Sequence, residues 1–150
     1  MNLVRFLVDT NVLSRLTRAQ RASKFFRDNC SLCSEVLHEA SGFPDLAELR
    51  RLEHPVSAGV LARVREVMLT VPPGDFRLVD LYHNLGNADP ILIASALDAM
   101  EAEAERLFGV DWHIVTDDAA VIVKAKEFYV TTLGYDDFLR LLSSSANHLS

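Results

Sequence analysis

The chain has 150 residues, 49% of them apolar, which suits one domain over residues 1–150 with a real hydrophobic core. No window approaches the ~18 consecutive apolar residues of a membrane span, and the N-terminus lacks the basic, apolar and small-residue order of a secretory leader, so the expectation is a cytoplasmic protein with no membrane contact. A formal net charge of −6 argues against a protein that coats nucleic acid by bulk electrostatics, while leaving nucleic acid open as a substrate.

Leu3 to Val8 reads as a buried strand, a short apolar run interrupted by Arg5. Thr10 or Asn11 then caps a helix predicted to run to about Phe26. That stretch carries Arg15, Arg18, Arg21, Lys24 and Arg27 and no acid. Neighbouring pairs share a helix face, which suits either an ordinary solvated surface or contact with phosphates. Cys30 to Cys33 reads as a second short strand. Its C-x-x-C spacing lacks the further ligands that zinc requires, so both cysteines are read as structural. Ser34 offers an N-cap for the helix of "SEVLHEAS", closed by Gly42 and Pro44. Pro44 to Leu69 is the least patterned region, read as two short helices parted near Pro55.

"TVPPGDFRLVD" is a loop. "DPILIASALDAMEAEAERLF" is the clearest helix of the chain, stopped by Gly109, and the acids of Asp98 to Asp111 look like its solvated face. "HIVT" is a third buried strand and "DAAVIVKAKEF" a helix. "YVTT" is a fourth strand, and "YDDFLRLL" a closing helix. Short apolar strands alternating with helices predict an α/β protein, a three-layer α/β/α sandwich around a mostly parallel sheet.

Several carboxylates stand in awkward places. Asp9 closes the first strand, and Asp117 and Asp118 close "HIVT" in the same manner. In open parallel sheets ligands bind outside the carboxyl ends of the strands, so these acids meet at one rim if their strands are neighbours. Asp89, directly before Pro90, makes a good helix start as N-cap, and its second oxygen can still face outward. Glu35 and Glu39 share a helix face; Glu35 suits the first turn, whereas Glu39 has no such local reason to be there. Clustered carboxylates repel unless a cation holds them, and an all-oxygen site suits Mg²⁺ or Mn²⁺.

The order "FLVDTNVL", "SEVLHEA", "NADPILIASAL", "HIVTDDAAV" resembles the PIN domain, the ribonuclease domain of VapC-type toxins in bacterial toxin–antitoxin systems. The likeness covers nearly the whole chain and is thinnest between about Phe43 and Val79. It implies a PIN-like sandwich and a quartet of acids holding Mg²⁺ or Mn²⁺. Asp9, Glu39, Asp89 and Asp118 fall at the matching positions. Asp117 stands where the family often carries Asn, Arg or Ser, which leaves open which of Asp117 and Asp118 binds metal. Thr10, Asn11 and Thr116 would support the acids or position phosphate. Arg15 and Arg18 are candidates for RNA contact. The resemblance also implies a homodimer and an antitoxin partner whose basic side chain enters the acidic pocket.

The resulting expectation is a metal-dependent endoribonuclease, in which the ion activates a water for attack on the scissile phosphate and no covalent intermediate forms. The alternative is a catalytically silent PIN-like module that binds RNA or protein. A phosphatase or phospho-receiver on a similar sheet is a third reading, weakened because "DTN" puts Asn11 where a D-x-D motif needs its second acid. His38, His54, His83, His113 and His148 show no ligand or catalytic spacing, and Ser34 has no Ser-His-Asp support.

Overall fold

The protein, seen here as a computed structural model, is described for residues 3–72, 88–104 and 109–147, with side chains described for 3–72, 90–104 and 109–145. The loop expected from Thr70 falls outside the described residues from 73 onward, as do residues 105–108, over which the acid-rich helix is expected to continue, His83 and His148.

The described chain runs β1 (Leu3–Val8), α1 (Thr10–Leu13), α2 (Arg18–Arg21), α3 (Lys24–Asn29), β2 (Cys30–Cys33), α4 (Ser34–Glu39), α5 (Leu46–Leu49), a 3₁₀ turn (Arg50–Leu52), β3 (Glu53–His54), α6 (Ala58–Leu69), α7 (Ala88–Glu103), β4 (Val110–Val115), α8 (Ala119–Glu127), β5 (Thr131–Leu133) and α9 (Tyr135–Asn147). The strands form a five-stranded sheet in the order β3-β2-β1-β4-β5. Every pairing among the described residues is parallel, as expected of a mostly parallel sheet. Helices cover it on both faces, as expected of an α/β/α sandwich.

Register shows which helix lies on which face. Phe6 pairs with Cys30 and His113, so these three point the same way. On that face Phe6 meets Phe25 of α3 and Phe138 of α9, with ring centroids 6.0 and 5.6 Å away. Cys33 points to the opposite face, where its Sγ lies 3.6 Å from Ser95 Oγ of α7. Burial on both sides explains why Phe6-Leu7-Val8 and Cys30 to Cys33 are apolar runs rather than alternating ones.

Two features depart from the sequence reading. The helix expected over Thr10 to Phe26 is three short helices. Thr17 caps α2 through a capping box with Gln20, and Ser23 caps α3, so polar caps restart the helix twice. The cap of α1 is Asp9 itself, in place of Thr10 or Asn11. At α4 the capping position is Cys33, and Ser34 is already helical; the Ser34 hydroxyl bonds Glu53 Oε1 at 3.1 Å instead. The second departure is β3, a two-residue edge strand just before Pro55, pairing Leu32 with Glu53 and Cys33 with His54. β4 also begins earlier than "HIVT", at Val110.

A candidate active site at the switch point of the sheet

The strand order reverses between β1 and β4. On one side the chain continues β2, β3; on the other it continues β5. In open parallel sheets such a reversal, at the carboxyl ends of the two strands, is where ligands bind. Val8 and Val115 are the last paired residues, and the Asp9 amide donates to the Val115 carbonyl at 2.9 Å. The next residues, Asp9 on one strand and Thr116-Asp117-Asp118 on the other, are therefore delivered to one point.

Asp9 is 4% exposed. Its Oδ1 accepts from the Thr10 amide at 2.8 Å. Its Oδ2 accepts from the Thr116 hydroxyl at 2.8 Å and from Asn11 Nδ2 at 3.0 Å. All three donors are neutral. Burial pushes the Asp9 carboxyl above its ordinary pKa; the Thr116 and Thr10 hydrogen bonds oppose this, and the negative charge of Asp118 adds to it. A buried acid with a like charge beside it and no cationic partner among the described residues either keeps its proton or takes a cation from outside.

Asp118 and Asp117 divide the work. The Asp118 amide donates to Thr116 Oγ1 at 3.1 Å, which places this residue against the Asp9 cluster. Its Oδ1 caps α8, accepting from Ala120 N at 2.8 Å, while Oδ2 makes no hydrogen bond among the described residues. Asp117 turns away. Its Oδ2 pairs with Arg15 at 3.1 Å, and its Oδ1 accepts from the Tyr135 amide at 3.1 Å. The Arg15 guanidinium also lies 3.8 Å above the Tyr135 ring. Asp117 thus anchors the chain before α9, and its amide, donating to Asn11 Oδ1, links that anchor to the Asp9 cluster.

Glu39 reaches the same centre from α4. It is an exposed residue, yet its carboxyl is raised by burial first and by Asp9 second, and the nearby Thr10 hydroxyl favours its ionised form. That hydroxyl oxygen is buried and has no partner at hydrogen-bond distance. Asp89 lies in the first turn of α7, which begins at Ala88, rather than at the N-cap; its side chain is outside the described residues. Glu39 and Asp118 are thus both within electrostatic reach of Asp9. Among the described residues no three His, Cys, Asp or Glu side chains stand close enough to cage an ion unaided. The donor set of carboxylate and hydroxyl oxygens fits a hard divalent cation.

The basic run separates as well. Arg15 sits at the rim through Asp117, whereas Arg21 is buried in an ion pair with Asp45, a partner 24 residues away that no local pattern signals. Nothing in the sequence marks Tyr135 beyond its place directly after Gly134. The cysteines are inert at neutral pH. Both are free and buried, they point to opposite faces, and burial pushes the Cys33 thiol up to about 12. Among the described residues no helix is long and apolar enough to cross a membrane. A scan against protein-family models found no match for this chain, and no curated protein matches its sequence.

Proposed function

We propose that this is a PIN-like, Mg²⁺- or Mn²⁺-dependent endoribonuclease that hydrolyses RNA phosphodiester bonds. The observation that supports the reading best is Asp9, buried at the switch point, held by neutral donors and faced by Asp118 and Glu39. Asp9, Asp118, Glu39 and Asp89 would hold the ion, with Asp117 reserved for Arg15 and the α9 anchor. When bound, the ion would supply Lewis acidity toward the scissile phosphate and lower the pKa of the attacking water.

The chain's own groups have separate tasks in this reading. Thr116 and Asn11 orient the Asp9 carboxylate. Thr10 offers a buried hydroxyl toward Glu39. Arg15, 55% exposed in its side chain at the rim, offers a positive group to an arriving phosphate. The same reading carries a cytoplasmic homodimer and an antitoxin partner whose basic side chain fills the acidic crevice.

The test is cleavage of single-stranded RNA with Mg²⁺, with Mn²⁺ and with EDTA, using wild type, Asp9→Asn and Asp89→Asn. The expected result is metal-dependent cleavage by wild type alone. Equal cleavage in EDTA, or by the variants, removes the metal mechanism. A second reading, a silent PIN-like module that binds RNA or protein, is favoured by the exposure of Glu39 at the last residue of the short α4. Mn²⁺ titration separates the two, because an ion that binds only the folded state raises the melting temperature.

A further inference from the structure

On the flank of the molecule, α2, α3, α5 and the 3₁₀ turn enclose a cavity of about 410 Å³. Its charged lining is Arg18, Arg21, Arg27, Arg51, Asp45 and Glu48. Leu49 and Leu52 add an apolar wall. The size falls within the range of small-ligand pockets, about 300–1,000 Å³.

Arg21 and Asp45 neutralise each other and hold the walls together. The guanidinium donates twice to the carboxylate, at 2.9 and 2.8 Å, and once to the Leu16 carbonyl at 2.6 Å. It also lies 4.7 Å from the centre of the Phe43 ring. α2 is thereby fixed to the segment that opens α5. With that pair set aside, Arg18, Arg27 and Arg51 face a single remaining acid, Glu48. Among the described residues their guanidinium groups make no hydrogen bond or close ion pair; Arg18 only adds to the field on Asp45. In a chain of net charge −6, three exposed arginines without a close acidic partner, gathered at one cavity, form a local positive patch that attracts an anion.

We propose that this cavity binds the sugar–phosphate backbone of a single-stranded RNA. A guanidinium fork matches phosphate oxygens in pairs, and its flat face stacks on a base. Repeated single charges along a strand suit arginines drawn from α2, α3 and the 3₁₀ turn. Arg18 follows Arg15 of the acidic rim by three residues, so the lining of the cavity begins one short connection after the rim. The proposal rests on the nuclease reading and extends it with a substrate-binding surface outside the acidic crevice.

The experiment measures binding of a short fluorescein-labelled single-stranded RNA by anisotropy, in EDTA, across a salt series. Wild type is compared with the double variants Arg27→Glu/Arg51→Glu and Arg27→Gln/Arg51→Gln. Both positions are exposed, and a melting curve for each variant confirms folding, the Gln pair serving if the Glu pair fails. The expected result is binding weakened about tenfold or more, with the salt slope reduced by about 0.7 for each phosphate no longer neutralised. Poly-glutamate and a free nucleoside monophosphate, as competitors, should displace the strand poorly. Variants that bind like wild type with the same slope overturn the proposal, as does a wild type that binds no RNA or releases it equally to poly-glutamate. Cleavage in Mn²⁺ is followed alongside. Cutting by wild type with unchanged binding in the variants removes the cavity and leaves the nuclease; arginine-dependent binding without cutting removes the nuclease and leaves the cavity.

Discussion

Two carboxylates are almost equally hidden from solvent, Asp9 at 4% exposure and Asp45 at 5%, and they behave in opposite ways. Arg21 holds the Asp45 carboxyl below its ordinary range through a bidentate pair. Burial lifts the Asp9 carboxyl above it, and three neutral donors do not bring it back. Asp45 carries its own counter-ion from within the fold, so its role is complete: it closes α2 onto the start of α5. Asp9 has hydrogen bonds but no positive charge beside it among the described residues, and a like charge in Asp118. Burial alone therefore says little about what an acid is for; the charge of its partner does.

The largest effect should come from breaking the satisfied pair. Arg21→Ala leaves Asp45 buried without its hydrogen-bonded ion-pair partner and is expected to cost about 3–5 kcal/mol, read by urea denaturation. A loss under ~1 kcal/mol would place this pair with weak surface bridges and dissolve the contrast. Next comes the unsatisfied acid. At a hundredfold excess over its Kd, Mn²⁺ should stabilise wild type by about 2.7 kcal/mol and should do nothing for Asp9→Asn. Equal stabilisation of both would move the ion away from the switch point.

A change of pH separates the two acids by sign. A raised carboxyl holds its proton more tightly in the folded chain than in the unfolded one. The contribution of metal-free Asp9 is therefore complete below its ordinary pKa of 3.8 and is lost as pH climbs through its native value. Glu39 adds a loss of the same sign above 4.5. Asp45 contributes in the other direction: its stabilisation is present above 3.8 and is lost as pH falls through its lowered native value. Denaturation of wild type and Asp9→Asn from acid to neutral pH checks this. The wild type should lose stability relative to the variant as pH rises, and Mn²⁺ should cancel that loss.

The smallest effect distinguishes the adjacent acids. Asp117→Asn disturbs an exposed pair with Arg15 and should cost no more than about 1 kcal/mol, with the Mn²⁺ response intact. Asp118→Asn keeps an oxygen for the α8 cap, so it should fold normally while losing most of the Mn²⁺ response. The reverse pattern would assign Asp117 to the ion.

Much of this frame is written locally. β1 and β2 lie where their apolar runs end, and the acids after β1 and β4 meet because those strands are neighbours. The three-way split of the first helical stretch is legible too, in Thr17-x-x-Gln20 and Ser23, once cap chemistry is weighed above the basic spacing. β3 is not legible: two residues have no period. Nor is the Arg21–Asp45 pair, since nothing near Arg21 distinguishes it from Arg18 or Arg27 until the fold closes a span of 24 residues. The different tasks of Asp117 and Asp118 likewise depend on Arg15 and Tyr135, which only tertiary structure brings to one side.

The most direct measurement is anomalous diffraction from a crystal soaked in Mn²⁺. The expected result is a peak at roughly 2.1 Å from oxygens of Asp9 and Asp118, at the carboxyl ends of β1 and β4. Saturating Mn²⁺ with no peak there, or a peak held by Asp117 with Asp9 left bare, would contradict a cation site built around the buried acid.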